Sequence, residues 1–380
     1  MSKWYKHSNN FDVIIVGGGL AGLTAAIHLS KLQYSVLVFE KNSYPHHKVC
    51  GEYVSREVIP YLDTLDVSFN QFSLPSINQL KISTVDGKLL QTNLPLGGIG
   101  ISRYAFDNLF YEKASENNAQ FKFDSVKDII FSNNKFTVHT KDEEFSAEIV
   151  IGAYGKRDQL DKQLKRKFID EKSGWLGVKA HYHLEDFPKN MVELHSFNGG
   201  YAGLSKTETG AVNCCYLASY KSFKKERNVE AFTKNTVAKN PCLNDFFNNS
   251  HPIFKEPMAI AQVSFSEKKS VHNHILMCGD TAGLIHPLCG NGMAMAIHSA
   301  KLAAEEIDSY FKNSAQSRAD LEKSYEKRWN RLFKKRLWMG RRLQSILLND
   351  TLSKSVMTLI TKSPWLLNKM ISATHGKPIV

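Results

Sequence analysis

Residues 11–40 constrain the fold more than any other part of this sequence. Phe11 to Val16 (FDVIIV) is a short apolar run rich in β-branched residues, the pattern of a strand buried on both faces of a parallel sheet. Glycines follow at once. Gly17, Gly19 and Gly22 form a GxGxxG, Leu20 to Leu32 has helical composition, and Ser35 to Glu40 (SVLVFE) reads as a second strand ending in an acid. Glycines let the chain turn tightly and bring bare backbone against a pyrophosphate, while the first amides of the following helix carry partial positive charge. The acid after the second strand accepts hydrogen bonds from ribose hydroxyls. The segment therefore predicts a Rossmann-like dinucleotide-binding unit, with Gly17, Gly19, Leu20, Ala21, Gly22, Glu40 and Lys41 at the ligand. NAD and FAD both use such a unit, so the rest of the chain must choose.

A second strand-loop-helix pattern lies far downstream. His274 to Cys278 (HILMC) is apolar, Gly279-Asp280 follows, and Gly290-Asn291-Gly292 leads into a helical run from Met293 to Ile307. The stretch from 279 to 296 holds four glycines. Bare backbone of this kind is a surface on which a wide, flat ring can lie, and helix-start amides beside it stabilise negative charge on such a ring. Two remote loops of this type suit the opposite ends of one long cofactor.

These motifs resemble, in the same order, those of the flavoprotein superfamily that includes geranylgeranyl reductases and para-hydroxybenzoate-hydroxylase-like monooxygenases. The shared segments are the first glycine loop with Glu40, KVCGE at 48–52, ISRYAFDNLF at 101–110, VIGAYGKR at 150–157, and GDTAG with PLCGNG across 279–292. The resemblance covers most of the chain. It implies an α/β fold, with a Rossmann-like, three-layer FAD-binding domain, an inserted antiparallel β-sheet substrate domain and a C-terminal helical segment. It also implies that Lys48, Val49 and Cys50 lie by the flavin, Arg103 by the pyrophosphate and the Val126 backbone by the adenine. Gly279 and Asp280 fall to the ribityl chain, and Gly290, Asn291, Gly292 and Met293 to the ring face. One departure stands out: where the family has GADG, this chain has Gly152-Ala153-Tyr154-Gly155. In related monooxygenases that acid helps position FAD and the nicotinamide donor, so NAD(P)H and other electron donors both remain open as reductants.

Three details favour a reductase. The loop from His286 to Gly292 is closer to the PLTGxGI of geranylgeranyl reductases than to the hydroxylase form, Gly283 stands where many hydroxylases have histidine, and residues 48–52 fall where those reductases carry CGG. Saturating a C=C bond requires hydride on one face and a proton on the other, and Cys50, Glu52 and His286 are the candidate proton donors. Each also has a plain structural reading: Cys50 as a small space-filler, Glu52 as an ion-pair carboxylate, His286 as a satisfied loop histidine. The alternative reaction is hydroxylation of a phenolic or quinone-precursor substrate, and a non-catalytic flavin carrier is the third possibility. Halogenation is disfavoured because no WxWxIP segment is present.

The motifs divide the chain into a discontinuous FAD-binding domain (1–75, 98–165 and 270–320), a substrate-binding β-sheet domain (76–97 and 166–269) and C-terminal helices (321–380). Val178 to Leu184 and Ala211 to Leu217 alternate as strands do, with turns at Asn198-Gly199-Gly200 and Glu208-Thr209-Gly210. Trp175, Tyr182, Phe197, Tyr201 and Tyr216 suggest an isoprenoid, lipid-like or polyketide-like substrate, although each also reads, and more readily, as ordinary core. With 49 Lys and Arg against 37 Asp and Glu, the net charge is +12. Eight of those cations and no acid lie between Lys327 and Arg342, interleaved with Trp329, Leu332, Phe333, Leu337 and Trp338. Such a segment is either a basic amphipathic helix on an anionic membrane or a packed helix with a solvated face. No recognition motif accompanies it, so nucleic acid is not expected as a partner. The six cysteines show no metal spacing, so no metal is expected and the thiols read as reduced. The polar start, MSKWYKHSNNFD, lacks the apolar core of a secretory leader, and the uncharged run from Val13 to Ser30 is broken by glycines. A cytoplasmic protein with no membrane span is expected.

Overall fold

A computed structural model describes residues 9–171, 173–226, 228–286, 290–348 and 376–380, with 343–348 as helical backbone. The predicted first strand is Asn10–Val16, and its neighbours Val36–Phe39 and Glu144–Gly152 both pair with it in parallel. The full order is Val271–His272, Ile275–Met277, Glu144–Gly152, Asn10–Val16, Val36–Phe39 and Gln120–Lys122, with a hairpin of Asp128–Ser132 and Lys135–His139 added to Glu144–Gly152. Val13, Ile14 and Ile15 are fully buried. Successive strand residues point to opposite faces, so this sheet is covered on both sides. Helices Leu20–Lys31, Arg103–Glu116 and Gly292–Lys312 pack together beside it.

The second sheet runs His251–Pro252, Trp175–His183, Val212–Ser219, Gly200–Lys206, Met191–Phe197, Ser76–Ser83, Leu89–Gly100 and Tyr53–Ser55, with Met258–Ile260 also paired to Trp175–His183. It is antiparallel except where Met191–Phe197 meets Ser76–Ser83 in parallel. The turn at Asn198-Gly199 uses the left-handed φ of +86° at Gly199, and the turn at Thr209-Gly210 uses +81° at Gly210. The far face of this sheet packs on Phe232, Leu243 and Phe246, and it takes Phe197 and Tyr216 into that core, with Tyr182 against its edge. Three of the five aromatics read as possible ligand contacts, Tyr182, Phe197 and Tyr216, thus point their rings away from the first sheet.

The C-terminal helix spans Arg318–Leu348 and buries Tyr325, Trp329, Phe333 and Leu337 in the main core. It lies directly on the downstream loop. A Cβ added at Gly283 would stand 2.8 Å from Leu337 Cδ1 and 3.2 Å from the Trp329 ring, and one at Gly340 would stand 3.2 Å from His286 Cβ. No described helix is long and apolar enough to cross a membrane.

Candidate active site

A cavity of about 1080 Å³ is lined jointly by the loops of the first sheet and the near face of the second. Gly17, Gly19, Leu20, Ala21, Glu40, Lys41 and Val126 border it, as do Lys48, Val49, Cys50, Glu52 and Arg103, and Gly279, Asp280, Gly290, Gly292 and Met293. The structure thus gathers residues separated by up to 276 positions around one space.

The first loop is shaped by what it must avoid. Gly17 sits at φ +109°, and a Cβ there would collide with the Ala153 carbonyl, so only glycine serves. Gly19 caps the helix Leu20–Lys31 without a side chain, leaving the first-turn amides free for a ligand. The Glu40 carboxylate accepts from Gly18 N at 3.0 Å and Asn42 N at 3.1 Å, and Tyr44 Oη donates to Gly18 O at 2.5 Å. Glu40 therefore braces the loop as well as bordering the cavity.

Two cations are held beside that helix start. Arg103 Nη2 lies 3.9 Å from the point a Gly19 Cβ would occupy. Its guanidinium grips Asp107 through Nε at 2.6 Å and Nη2 at 2.8 Å, and Lys48 Nζ reaches the same carboxylate at 2.9 Å. Burial opposes ionisation of Asp107, yet the charges of Arg103 and Lys48 hold its carboxyl below the ordinary range. The outcome is a fixed pair of positive groups at a helix N-terminus, which is what a pyrophosphate requires. Sequence reasoning found Arg103 and Lys48 but missed Asp107, although RYAFD places it four residues on, where a helical ion pair forms.

Glu52 takes a different role from the proton donor expected of it. It is fully buried, at φ +54°, in a network drawn from three elements. Oε1 pairs with Lys179 Nζ and accepts from Arg103 N at 2.7 Å, while Oε2 meets His181 Nε2 at 2.6 Å. Lys179 also donates to Lys48 O at 3.2 Å. Burial raises the Glu52 pKa, but the His181 hydrogen bond and the Lys179 charge outweigh it and hold the carboxyl low. A carboxylate engaged on both oxygens has no proton to give; it ties the 48–52 loop to the start of helix Arg103–Glu116. His47 also approaches, its ligand atom lying with those of Glu52 and His181 within 4.8 Å of one another, as a metal site would have it. The Lys179 ammonium already neutralises Glu52, however, and a dication there would meet like charge. Lys179 was missed, and the signal was a lysine inside the otherwise apolar WLGVK strand.

His286 is also corrected as a proton donor. It does not border the cavity. It is 1% exposed, with its ring 4.9 Å from Phe265, 5.9 Å from Tyr201 and 6.4 Å from Trp175. Burial pushes its pKa down to about 3, so it is a neutral core ring. A histidine with a lowered folded pKa leaves the unfolded chain binding the extra proton, so its contribution is complete above about pH 6.5 and is lost as pH falls toward 3. His286→Phe is therefore expected to flatten the loss of melting temperature between pH 6.5 and 5, worth about 2 kcal/mol in the parent. An unchanged slope would show that other groups carry the acid sensitivity.

Cys50 remains. It is half-buried, borders the cavity and lies within hydrogen-bonding reach of the Arg103 side chain. Gly22 and Asn291 do not border the cavity. Gly22 is pressed against the Gly17 carbonyl, so its small size serves the close packing of helix on loop. Asn291 is buried at the start of Gly292–Lys312 and accepts there from Met295 N at 2.9 Å. Pro287, Leu288 and Cys289 of the PLCGNG motif lie outside the described residues.

At the departure from GADG, Tyr154 borders the cavity, and its hydroxyl contacts Met277 Sδ at 3.8 Å and Arg166 Nη1 at 3.5 Å. The nearby acid is Asp161, buried and paired with Arg166 at 2.9 Å. Lys268 joins the two loops, donating to Lys156 O at 2.7 Å and Asp280 O at 2.8 Å over the Phe168 ring, and burial lowers its pKa to about 8.

These residues fit FAD. The glycine cradles at 17, 19, 290 and 292 leave backbone open toward the cavity, and the charged groups sit where the phosphates of a dinucleotide would. The "FAD binding domain" family model matches residues 10–335. The chain belongs to this family. The FAD-binding protein is 24% identical over 348 residues to a digeranylgeranylglycerophospholipid reductase of Haloferax volcanii, covering 85% of this chain and 82% of that one. Its fold matches the flavin-dependent brominase Bmp2 with TM-score 0.77 at 17% identity, over 96% of this chain and 93% of the other. It also matches a geranylgeranyl bacteriochlorophyll reductase-like protein of Thermoplasma acidophilum, with TM-score 0.73 at 20% identity, over 96% and 99%. The protein is an FAD-dependent oxidoreductase, distantly similar in sequence to digeranylgeranylglycerophospholipid reductases.

Proposed function

We propose that this oxidoreductase saturates carbon–carbon double bonds in an isoprenoid or other lipid-like substrate, with NAD(P)H or another donor as reductant. The observation that carries the reading is the wall supplied by the second sheet. Leu80, Val192, Leu194, Tyr201, Leu217 and Ile260 border the cavity from adjacent strands, and Gly177 and Gly203 between them leave it deep. Each buried CH₂ contributes about 0.8 kcal/mol, so a few prenyl units would bind well on such a wall without a charged anchor. The similarity to a digeranylgeranylglycerophospholipid reductase supports the same substrate class.

When bound, FAD supplies the two-electron chemistry. The chain's own part is threefold. Lys48, Arg103 and the first-turn amides of Leu20–Lys31 fix the phosphates, the apolar wall holds the alkene and excludes water, and the Cys50 thiol delivers the proton. Cys50→Ala is expected to keep its flavin and lose about 10²- to 10⁴-fold in turnover, the range of a positioned acid. The assay is anaerobic: reduced protein is mixed with a geranylgeranylated glycerolipid and the lipid is weighed by mass spectrometry. A gain of two hydrogens per double bond supports the reading. In a parallel aerobic assay, oxygen uptake coupled to a hydroxylated phenol, with the lipid untouched in the anaerobic one, would replace it with monooxygenation.

A further inference from the structure

The C-terminal helix has one face in the core and another that nothing in the described chain covers. Lys323, Lys327, Arg331, Lys334, Lys335 and Arg342 are all exposed, and Trp338 is 51% exposed among them. At 3.6 residues per turn these seven positions fall on a single arc of about 120°, some 28 Å long, with Trp338 near its centre. Glu326, the exposed acid in this stretch, falls outside the arc. No ion pair among the described residues engages any of the six cations, and the Arg342 guanidinium lies 5.3 Å from the Trp338 ring centroid. The opposite face is fixed by Tyr325, Trp329, Phe333 and Leu337. The stripe is therefore rigidly presented and is not a fraying tail.

We infer that this stripe docks the protein on an anionic lipid surface, with Trp338 at the headgroup level and the six cations over the lipid phosphates. A tryptophan ringed by cations, on a helix whose other face is already buried, matches an interfacial helix in charge and in amphipathic character. Nucleic acid would satisfy the charge equally. The apolar cavity decides for lipid, and to that extent the inference rests on the proposed substrate class. Leu337 and Trp329 lie against Gly283, so a membrane under the stripe sits one helix away from the downstream loop.

The test uses the full-length, FAD-loaded protein with vesicles of phosphatidylcholine alone or with added phosphatidylglycerol, separated by flotation. Binding to the anionic vesicles alone is expected, weakening with salt. Arg331→Glu/Lys334→Glu/Lys335→Glu should weaken that binding about a hundredfold or more, given the usual contribution of each cation near such a surface. Flavin absorbance and melting temperature should stay at parental values, which reports folding. Trp338→Ala should weaken binding while leaving its salt dependence in place. Equal binding by parent and triple variant, no binding to anionic vesicles, or tighter retention of single-stranded RNA than of vesicles would each overturn the inference. Vesicle binding without alkene reduction would overturn the proposed reaction and leave the docking surface standing.

Discussion

Gly292→Val should yield a folded protein that carries no flavin. Among the described residues beyond its chain neighbours, a Cβ at position 292 meets no atom nearer than Ile285 Cγ2 at 3.8 Å, which is ordinary contact. The residue opens helix Gly292–Lys312, where valine is tolerated. Nothing among the described residues therefore objects to the side chain. Gly292 does border the cavity, so the added branch fills room that the ring needs. The measurement is visible flavin absorbance after reconstitution with excess FAD, set beside far-ultraviolet circular dichroism and thermal melting. A yellow Gly292→Val protein with native stability would place the ring elsewhere. Gly17→Val is a poorer probe, because there the substitution also collides with Ala153 and strains the backbone.

Lys179→Met should destabilise the protein by about 3–5 kcal/mol, the usual effect of stripping one partner from a buried ion pair. In a chain of 380 residues that corresponds to a fall in melting temperature of about 4–6 °C. The cause is specific: Glu52 is fully buried and would be left with His181 and a backbone amide in place of a full counter-charge. Adding Glu52→Gln to Lys179→Met should therefore recover most of the loss, because the uncompensated charge is then gone. A double variant melting as low as the single one would show that Lys179 acts through packing alone.

The sequence made some of this legible and left the rest hidden for physical reasons. Both glycine loops could be read because glycine is demanded by local backbone geometry and ligand approach, and both are written in consecutive residues. Arg103, Lys48 and Cys50 came from motif resemblance and lie at the cavity. Glu52 and His286 were assigned by chemical type, and type says nothing about surroundings. Glu52 meets Lys179 and His181 from a strand more than 120 residues away, and His286 is enclosed by Trp175 and Tyr201 of the same sheet and by Phe265 of the irregular segment that follows it. Only the register of that strand brings Lys179 and His181, two residues apart, onto the face that receives Glu52. The aromatics failed similarly: Tyr182 and Tyr201 look alike in sequence, yet they lie on opposite faces of one sheet.

Position 283 teaches a related lesson. Its glycine was read as a mark of reaction type, since many hydroxylases carry histidine there. The C-terminal helix gives it another cause, because a methyl group there would stand 2.8 Å from Leu337 Cδ1 and 3.2 Å from the Trp329 ring, so that helix's side chains would have to shift to admit it. The loop is squeezed from behind as well as from the front. Anyone grafting a hydroxylase sequence onto this segment would have to reshape Leu337 and Trp329 at the same time, so the chemistry of this scaffold and the seating of helix Arg318–Leu348 are not independently exchangeable.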